Sequence, residues 1–475
     1  MSNQQKDQKV KPDDNLNFLN IEREAAEKRA HQQRQQDFNE IYRSRKGSDL
    51  QVQASRCLDC GNPYCEWRCP LHNYIPNWLS FASHGEFEKA AELMHQTNPL
   101  PEICGRVCPQ DRLCEQACTL NTGFGAVTIG AIEKNVTDMA LDNNWRPDLS
   151  KLTDTGKTVA IVGAGPAGLG CAELLARNGV KAIIYDRYPE IGGLLTFGIP
   201  GFKLEKSVIQ KRRKFLEDLG IEFQLNTEIG KDITIEQLQQ SNDAVFLGMG
   251  TYTPLDGGLP GLDAQGVLKA LDYLIGNINQ QQSFEMEQFP YSDLKGQHVL
   301  VVGGGDTAMD CVRSAVRQQA ASVRCVYRRT EKEMPGSKQE VQNAKEEGVE
   351  FVFHRQPIAV DSSDGKMTSV RFKITGDGED AGEEVSIEAD CLIIAFGFTA
   401  SPAKWFDQAG VDINEKGLIK TLESNDYTLP YSQKTSKTGI YAGGDMVRGA
   451  DLVVTAIAEG RQAAREILQD LLTED

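Results

Sequence analysis

From Gly156 onward, short apolar runs alternate with longer stretches of helical period. Thr158–Val162 reads as a buried strand, a glycine turn follows, Ala167–Asn178 predicts a helix and Lys181–Tyr185 the next strand. The texture returns about 140 residues later at His298–Val302, Asp306–Gln318 and Ser322–Tyr327. Val245–Thr251 and Leu392–Gly397 read as further strands with glycine at or near their ends, where the chain would cross between two domains. Gly439–Ala442 reads as a short strand and Leu452–Leu468 as a helix. This alternation predicts an α/β fold, with parallel sheets and helices on both faces.

The upstream third is different. Residues 1–50 are polar, with Leu16, Phe18, Leu19, Ile21, Phe38, Ile41 and Tyr42 as the main apolar positions. They fit a solvated tail with a short helix, or an arm that packs on another subunit. The next hundred residues hold eight of the twelve cysteines and three of the four tryptophans. Glu86–Gln96 has helical spacing, with Phe87, Ala90, Ala91 and Met94 on one side. A small helical domain with a mostly inorganic core is expected there. The expected division is an arm (1–50), a helical cysteine domain (51–155), an α/β domain in two parts (156–290 and 399–475) and a second α/β domain (291–398) between them.

Charge and hydropathy narrow the classes. The 475 residues carry a net charge of −17, which argues against nucleic acid or anionic lipid as a general partner. Val159–Ala176 approaches the length of a membrane span but holds four glycines, a proline and Glu173, so strand, turn and helix fit it better. The N-terminus lacks the apolar core of a signal peptide, and a cytoplasmic location is the expectation.

Two glycine turns carry the first chemistry. Gly163-Ala164-Gly165-Pro166-Ala167-Gly168 matches G-x-G-x-x-G between strand and helix. Gly163 permits the tight turn, Gly165 admits a pyrophosphate at the helix N-terminus, and Gly168 lets helix and strand approach. Asp186 closes the second strand, where a carboxylate accepts from a ribose diol. The second turn, Gly303-Gly304-Gly305-Asp306-Thr307-Ala308, is the G-x-G-x-x-A form, and its next strand ends in Arg328 and Arg329. Guanidinium at that position suits a 2′-phosphate, favouring NADP over NAD. Two such sites in one chain suggest one for FAD and one for the NADPH that delivers hydride to it. Gly444-Asp445 precedes the last helix and reads as a flavin contact, Asp445 on the ribityl chain. Ile191–Gly201, with Gly193, fits a loop along the flavin or plain turn chemistry.

The cysteines form two groups: Cys57-x2-Cys60-x4-Cys65-x3-Cys69-Pro, and Cys104-x3-Cys108-Pro-x4-Cys114-x3-Cys118. In a cytoplasmic setting eight close thiols point to metal rather than disulfides. Zinc accepts thiolates. The Cys-x3-Cys-Pro endings and a nearby flavin favour two [4Fe–4S] clusters, and a mixed site is the third option. Cys171, Cys311, Cys325 and Cys391 read as core residues.

The stretches RCLDCGNPYCEWRCPLHNYIPNW, ICGRVCPQDRLCEQACTLN, FGAVTIGAIEKN, VAIVGAGPAGL, GGLLTFGIPGFKLEK, VVGGGDTAMDCVRSAVRQ, VYRRTEKEMPGS and GGDMVRGADLVVTAIAEGR together resemble the small-subunit family of bacterial NADPH-dependent glutamate synthases. They span Arg56 to Arg461. The resemblance implies two Rossmann-like dinucleotide-binding domains, similar to adrenodoxin and glutathione reductases, behind an α-helical iron–sulfur domain. It implies that Cys57, Cys60, Cys65 and Cys118 hold one cluster, and Cys69, Cys108 and Cys114 three irons of the other. The dihydropyrimidine dehydrogenase relative supplies a glutamine as the remaining ligand. The matching stretch here is Ile129-Gly130-Ala131-Ile132-Glu133, so Glu133 is the candidate and Cys104 its rival.

The implied activity is electron input, from NADPH through FAD and the clusters to a separate large subunit that carries FMN and makes L-glutamate from L-glutamine and 2-oxoglutarate. In the family an N-terminal cysteine of that large subunit releases ammonia. This chain begins Met1-Ser2-Asn3 and has no spare ~250 residues for a barrel, so a hetero-oligomer is expected. The arm and the cysteine domain are its expected contact surfaces. No residue is assigned as a catalytic acid, base or nucleophile, because the cofactors carry the hydride. The competing readings are the input subunit of a related complex (a dihydropyrimidine dehydrogenase or a ferredoxin-dependent transhydrogenase), a disulfide reductase, and a zinc-binding interaction module. A disulfide reductase needs a cysteine pair beside the flavin, whereas Cys171 and Cys311 are lone thiols in their helices.

Overall fold

The computed structural model describes residues 15–376, 378–423 and 431–473; positions 1–14 of the expected arm lie outside the described residues. Thr158–Val162 is an interior strand of a seven-stranded sheet. Lys181–Tyr185 and then Glu222–Gln224 flank it in parallel on one side. Ala244–Leu247 and then Ile440–Ala442 do so on the other. Tyr431–Thr435 and Thr421–Glu423 extend that edge antiparallel. One face packs Val159, Ile161 and Phe246 on Leu175 and Ile457 of two helices, Pro166–Ala176 and Val453–Leu472. The other face buries Ala160, Val162, Val245 and Leu247 against Leu238 and Phe406. Burial on both faces explains why these strands read as unbroken apolar runs.

The second α/β unit has five parallel strands in the order Val267–Lys269, Cys391–Ile394, His298–Val302, Ser322–Val326, Glu350–Val352. Helices Ala270–Gln282 and Asp306–Arg317 cover one face. The other face is not helical, contrary to expectation. Leu300, Val302, Leu392 and Ile394 pack on Met367, Val370 and Phe372 of an antiparallel sheet formed by Arg355–Ser363, Lys366–Ile374 and Glu384–Glu388. Val267–Lys269 and Ala270–Gln282 belong to this unit, so it starts well before the expected residue 291. Thr253–Pro254 pairs with Phe398–Thr399, a two-stranded link where the chain leaves one unit and returns.

The cysteine domain is helical, as read. Its core is organic, however: Leu50, Trp78, Leu79, Met94 and Ile132 are fully buried, and the thiols lie at its margin. Residues 15–46 pack on this same chain rather than standing in solvent. Arg34 pairs with Glu346 and Glu347, Glu40 with Arg106 and Lys134, and Tyr42 Oη accepts from Asn343 at 3.1 Å. The arm thus straps the cysteine domain to the second α/β unit. Among the described residues no helix is long and apolar enough to cross a membrane.

Candidate functional site

The first glycine turn adopts the geometry that its spacing predicts. Gly163 has φ +106°, and a Cβ there would stand 2.5 Å from the carbonyl of Gly248. A Cβ on Gly168 would fall 1.9 Å from the carbonyl of Gly163, so helix and turn touch through backbone. Gly165 faces open space at the cavity wall. The second turn repeats the plan, with Gly303 at φ +150° against the carbonyl of Ala395 (2.3 Å) and Gly305 open. Ala308 is buried in that unit's core.

Both turns border one cavity of about 1310 Å³, larger than the ~300–1,000 Å³ of an ordinary ligand pocket. Gly163, Gly165, Asp186, Gly193, Gly444 and Asp445 line it, and Asp306 reaches it from the second turn. Asp186 also braces the first turn, its Oδ2 accepting from Ala164 N at 2.7 Å and its Oδ1 from Tyr188 N at 2.9 Å. Gly192 N donates to the carbonyl of Ala164 at 2.7 Å, which sets the 191–201 loop on that turn. Gly444, at φ +79°, donates to Glu459 Oε2 at 2.6 Å. Burial pushes the Asp445 carboxyl up to about 7. The N-termini of Pro166–Ala176 and Val453–Leu472 both end at this wall, presenting unpaired amides and positive dipole ends. Open glycines, a buried acid and two helix N-termini fit an anionic dinucleotide.

Arg328 and Arg329 stand elsewhere, exposed at the end of Ser322–Val326 and outside the cavity wall. Neither forms an ion pair among the described residues. Several cavity residues escape sequence reading. Pro109, Gln110 and Asp111 enter from the cysteine domain, and Lys203 pairs with Asp310 at 2.9 Å across the two α/β units. Lys206 is buried and donates to the carbonyls of Leu195 (2.8 Å) and Ile199 (2.5 Å), fixing the loop beside Gly193. Lys203 and Lys206 lie inside the quoted motif GFKLEK, and lysine in a mostly apolar stretch was the available signal.

The structure sorts the thiols. Cys57, Cys60 and Cys65, neighbours in sequence, and the distant Cys118 line one small pocket walled by Pro76, Leu79, Val127 and Ile129. Burial and mutual proximity push Cys57 and Cys65 up to about 12, so as thiolates they need positive charge between them. Cys69, Cys108 and Cys114 form the second group. Burial pushes Cys69 up to about 12, with Glu133 and Cys104 among its neighbours. A hydrogen bond with Cys104, then burial, raises Cys108. Glu133 is pushed up to about 8 by burial, and its Oε1 accepts from Asn73 and Asn98 at 3.1 Å each. Glu133 and Cys104 therefore both border this group. Among the described residues no three Cys, His, Asp or Glu side chains converge as on a single ion. The donor set, four thiols around one pocket and three more beside Glu133, fits cluster ligation. Cys171, Cys311, Cys325 and Cys391 are buried core residues, as read.

Comparisons agree with this layout. Residues 34–145 match the family described as dihydropyrimidine dehydrogenase domain II, 4Fe-4S cluster. Residues 157–460 match the pyridine nucleotide-disulphide oxidoreductase family. Among solved structures, Mycobacterium tuberculosis FprA in complex with NADPH superposes with a TM-score of 0.52 at 18% identity, over 66% of this chain and 84% of that one, a likeness of fold. The glutamate synthase (NADPH) small chain of Halomonas elongata is 56% identical over 96% of this chain and 98% of its own. That of Escherichia coli K12 is 52% identical over 95% and 98%. By these matches across nearly its whole length, the chain belongs to the glutamate synthase (NADPH) small-chain family.

Proposed function

We propose that this chain, an NADPH-dependent oxidoreductase, is the electron-input subunit of a glutamate synthase, in a cytoplasmic setting. The observation that carries the reading is one cavity bordered by both glycine turns and by the loop after Cys108. Two dinucleotides bound in it would lie beside Cys108, one member of the second thiol group. FAD and NADPH supply hydride chemistry, and two [4Fe–4S] clusters supply one-electron transfer.

The residues divide the work. Gly163, Gly165 and Gly168 shape the FAD pyrophosphate turn, Asp186 takes its ribose, and Gly193, Gly444 and Asp445 border the rest of the flavin. Gly303, Gly305, Asp306 and Ala308 shape the NADPH turn, and Arg328 and Arg329 take the 2′-phosphate. With FAD bound, the positive end of the helix Val453–Leu472 at the cavity wall would stabilise negative charge on it. Cys57, Cys60, Cys65 and Cys118 hold one cluster. Cys69, Cys108, Cys114 and Glu133 hold the other.

Small-chain relatives imply a large partner subunit. We assign it the FMN and the formation of L-glutamate from L-glutamine and 2-oxoglutarate. Its contact surface is placed on the cysteine domain, where Tyr64 and Trp67 are 57% and 66% exposed and Tyr64 also lines the four-thiol pocket. Exposed aromatics are enriched in interfaces, and electrons must leave near a thiol group. The arm is the second contact, through the side that does not face its own chain.

The test is reconstitution. Anaerobically purified chain should reduce artificial dyes with NADPH but form no glutamate until the large subunit is added. Glutamate formed by this chain alone would refute the division of labour.

A further inference from the structure

Asp306 opens the helix of the second glycine turn, so an acid stands where a pyrophosphate is expected. The helix N-terminus favours negative charge, but two anionic groups sharing it repel each other. Besides the buried Lys203, whose charge also faces Asp306, a compensating cation comes from the cysteine domain. Arg112, in the loop between Cys108 and Cys114, places Nη2 3.6 Å from Asp306 Oδ2. Its Nη1 donates to the carbonyl of Pro335 at 2.8 Å. Asp306 Oδ1 accepts from Ser337 N at 2.9 Å, and Gly336 N donates to the carbonyl of Gly304 at 2.9 Å. Arg112 therefore braces both halves of the turn, the helix start and the segment stitched to it. Among the described residues it forms the one ion pair between the cysteine domain and the nicotinamide unit. Its Nε is buried without a partner.

We propose that Arg112 is a positioning residue for NADPH: the cysteine domain supplies the charge that neutralises Asp306 at the dinucleotide turn. The nicotinamide site is then incomplete without the cysteine domain. The inference rests on reading the second turn as the NADPH site. An ordinary surface pair, with side chains 43% and 39% exposed, would leave NADPH affinity unmoved.

The test measures NADP⁺ binding to the holoprotein by calorimetry at low and high salt, with iron and flavin content as the check on folding. Arg112→Gln should weaken binding about fivefold at low salt, less at high salt, and the loss should fall on KM for NADPH rather than kcat. Arg112→Lys should keep most of the affinity. Adding Asp306→Asn to Arg112→Gln should restore it. Equal affinity in wild type and Arg112→Gln, or a deficit that survives Asp306→Asn, overturns the proposal while the electron-input reading stands. Wild-type protein that binds no NADP⁺ ends both. Asp306→Asn alone, remote in sequence from the thiols, decides independently if Arg112→Gln loses iron. Tighter NADP⁺ binding supports the proposal; unchanged or weaker binding overturns it.

Discussion

Gly460 packs directly on the backbone of Ala167: a β-carbon at position 460 would stand 1.9 Å from the Ala167 carbonyl oxygen. The contact locks the helix Val453–Leu472 against Pro166–Ala176, so their N-termini reach the large cavity side by side. Gly460→Ala has no flexible neighbour to displace. It should cost about 3 kcal/mol or more and reduce retained flavin. Thermal unfolding and flavin content of the purified variant check this, and wild-type values for both would contradict the packing.

The two thiol groups should lose metal separately. Cys57→Ser should halve an expected content of about eight irons per chain and remove one spectroscopic signal. Glu133→Ala should affect the other signal, whereas Cys104→Ala should leave the iron content unchanged. Iron analysis with electron paramagnetic resonance of the reduced protein separates these cases. A larger loss from Cys104→Ala than from Glu133→Ala would transfer the ligand role to Cys104.

Arg328 and Arg329 stand exposed at the end of their strand, without ion pairs among the described residues. Reversing the charge in Arg328→Glu should weaken NADPH binding by about tenfold or more, and NADH binding far less, since charged hydrogen bonds to the 2′-phosphate are lost. Unchanged NADPH affinity would remove Arg328 from the site.

Glu347 gives a pH dependence of defined sign. Burial opposes its ionisation, but hydrogen bonds and charge from Arg317 and Arg313 prevail and hold its carboxyl down at about 2. Its folded value lies below the ordinary 4.5, so its contribution is complete above that pH and is lost as pH falls toward 2. The shift corresponds to roughly 3 kcal/mol. At pH 7, Glu347→Gln should be destabilised by about 3 kcal/mol or more, because buried arginines lose their counter-charge. Denaturant unfolding should show this gap narrowing from pH 5 to pH 3; a constant gap would refute the assignment.

The legible features were local. Thr158–Val162, Lys181–Tyr185 and His298–Val302 form strands with the bounds read from their apolar runs. Asp306–Arg317 ends one residue short of its predicted helix. The antiparallel sheet went unread, although Lys366–Ile374 buries Met367, Val370, Phe372 and Ile374. Its near-alternate pattern is interrupted by register irregularities along the paired strand, which blur a period of two. The polar arm misled because its buried residues include Arg34 and Asn17, whose partners lie elsewhere in the chain or are set by the fold.

The glycine turns and the cysteine spacings could be read directly, because a backbone that needs positive φ or close approach, and thiols a few residues apart, record their requirements in neighbouring positions. The meeting of Cys118 with Cys57, of Arg112 with Asp306 and of Gly460 with Ala167 could not. Those contacts join residues scores to hundreds of positions apart, and only the packing of helices, sheets and arm brings them within reach of one another.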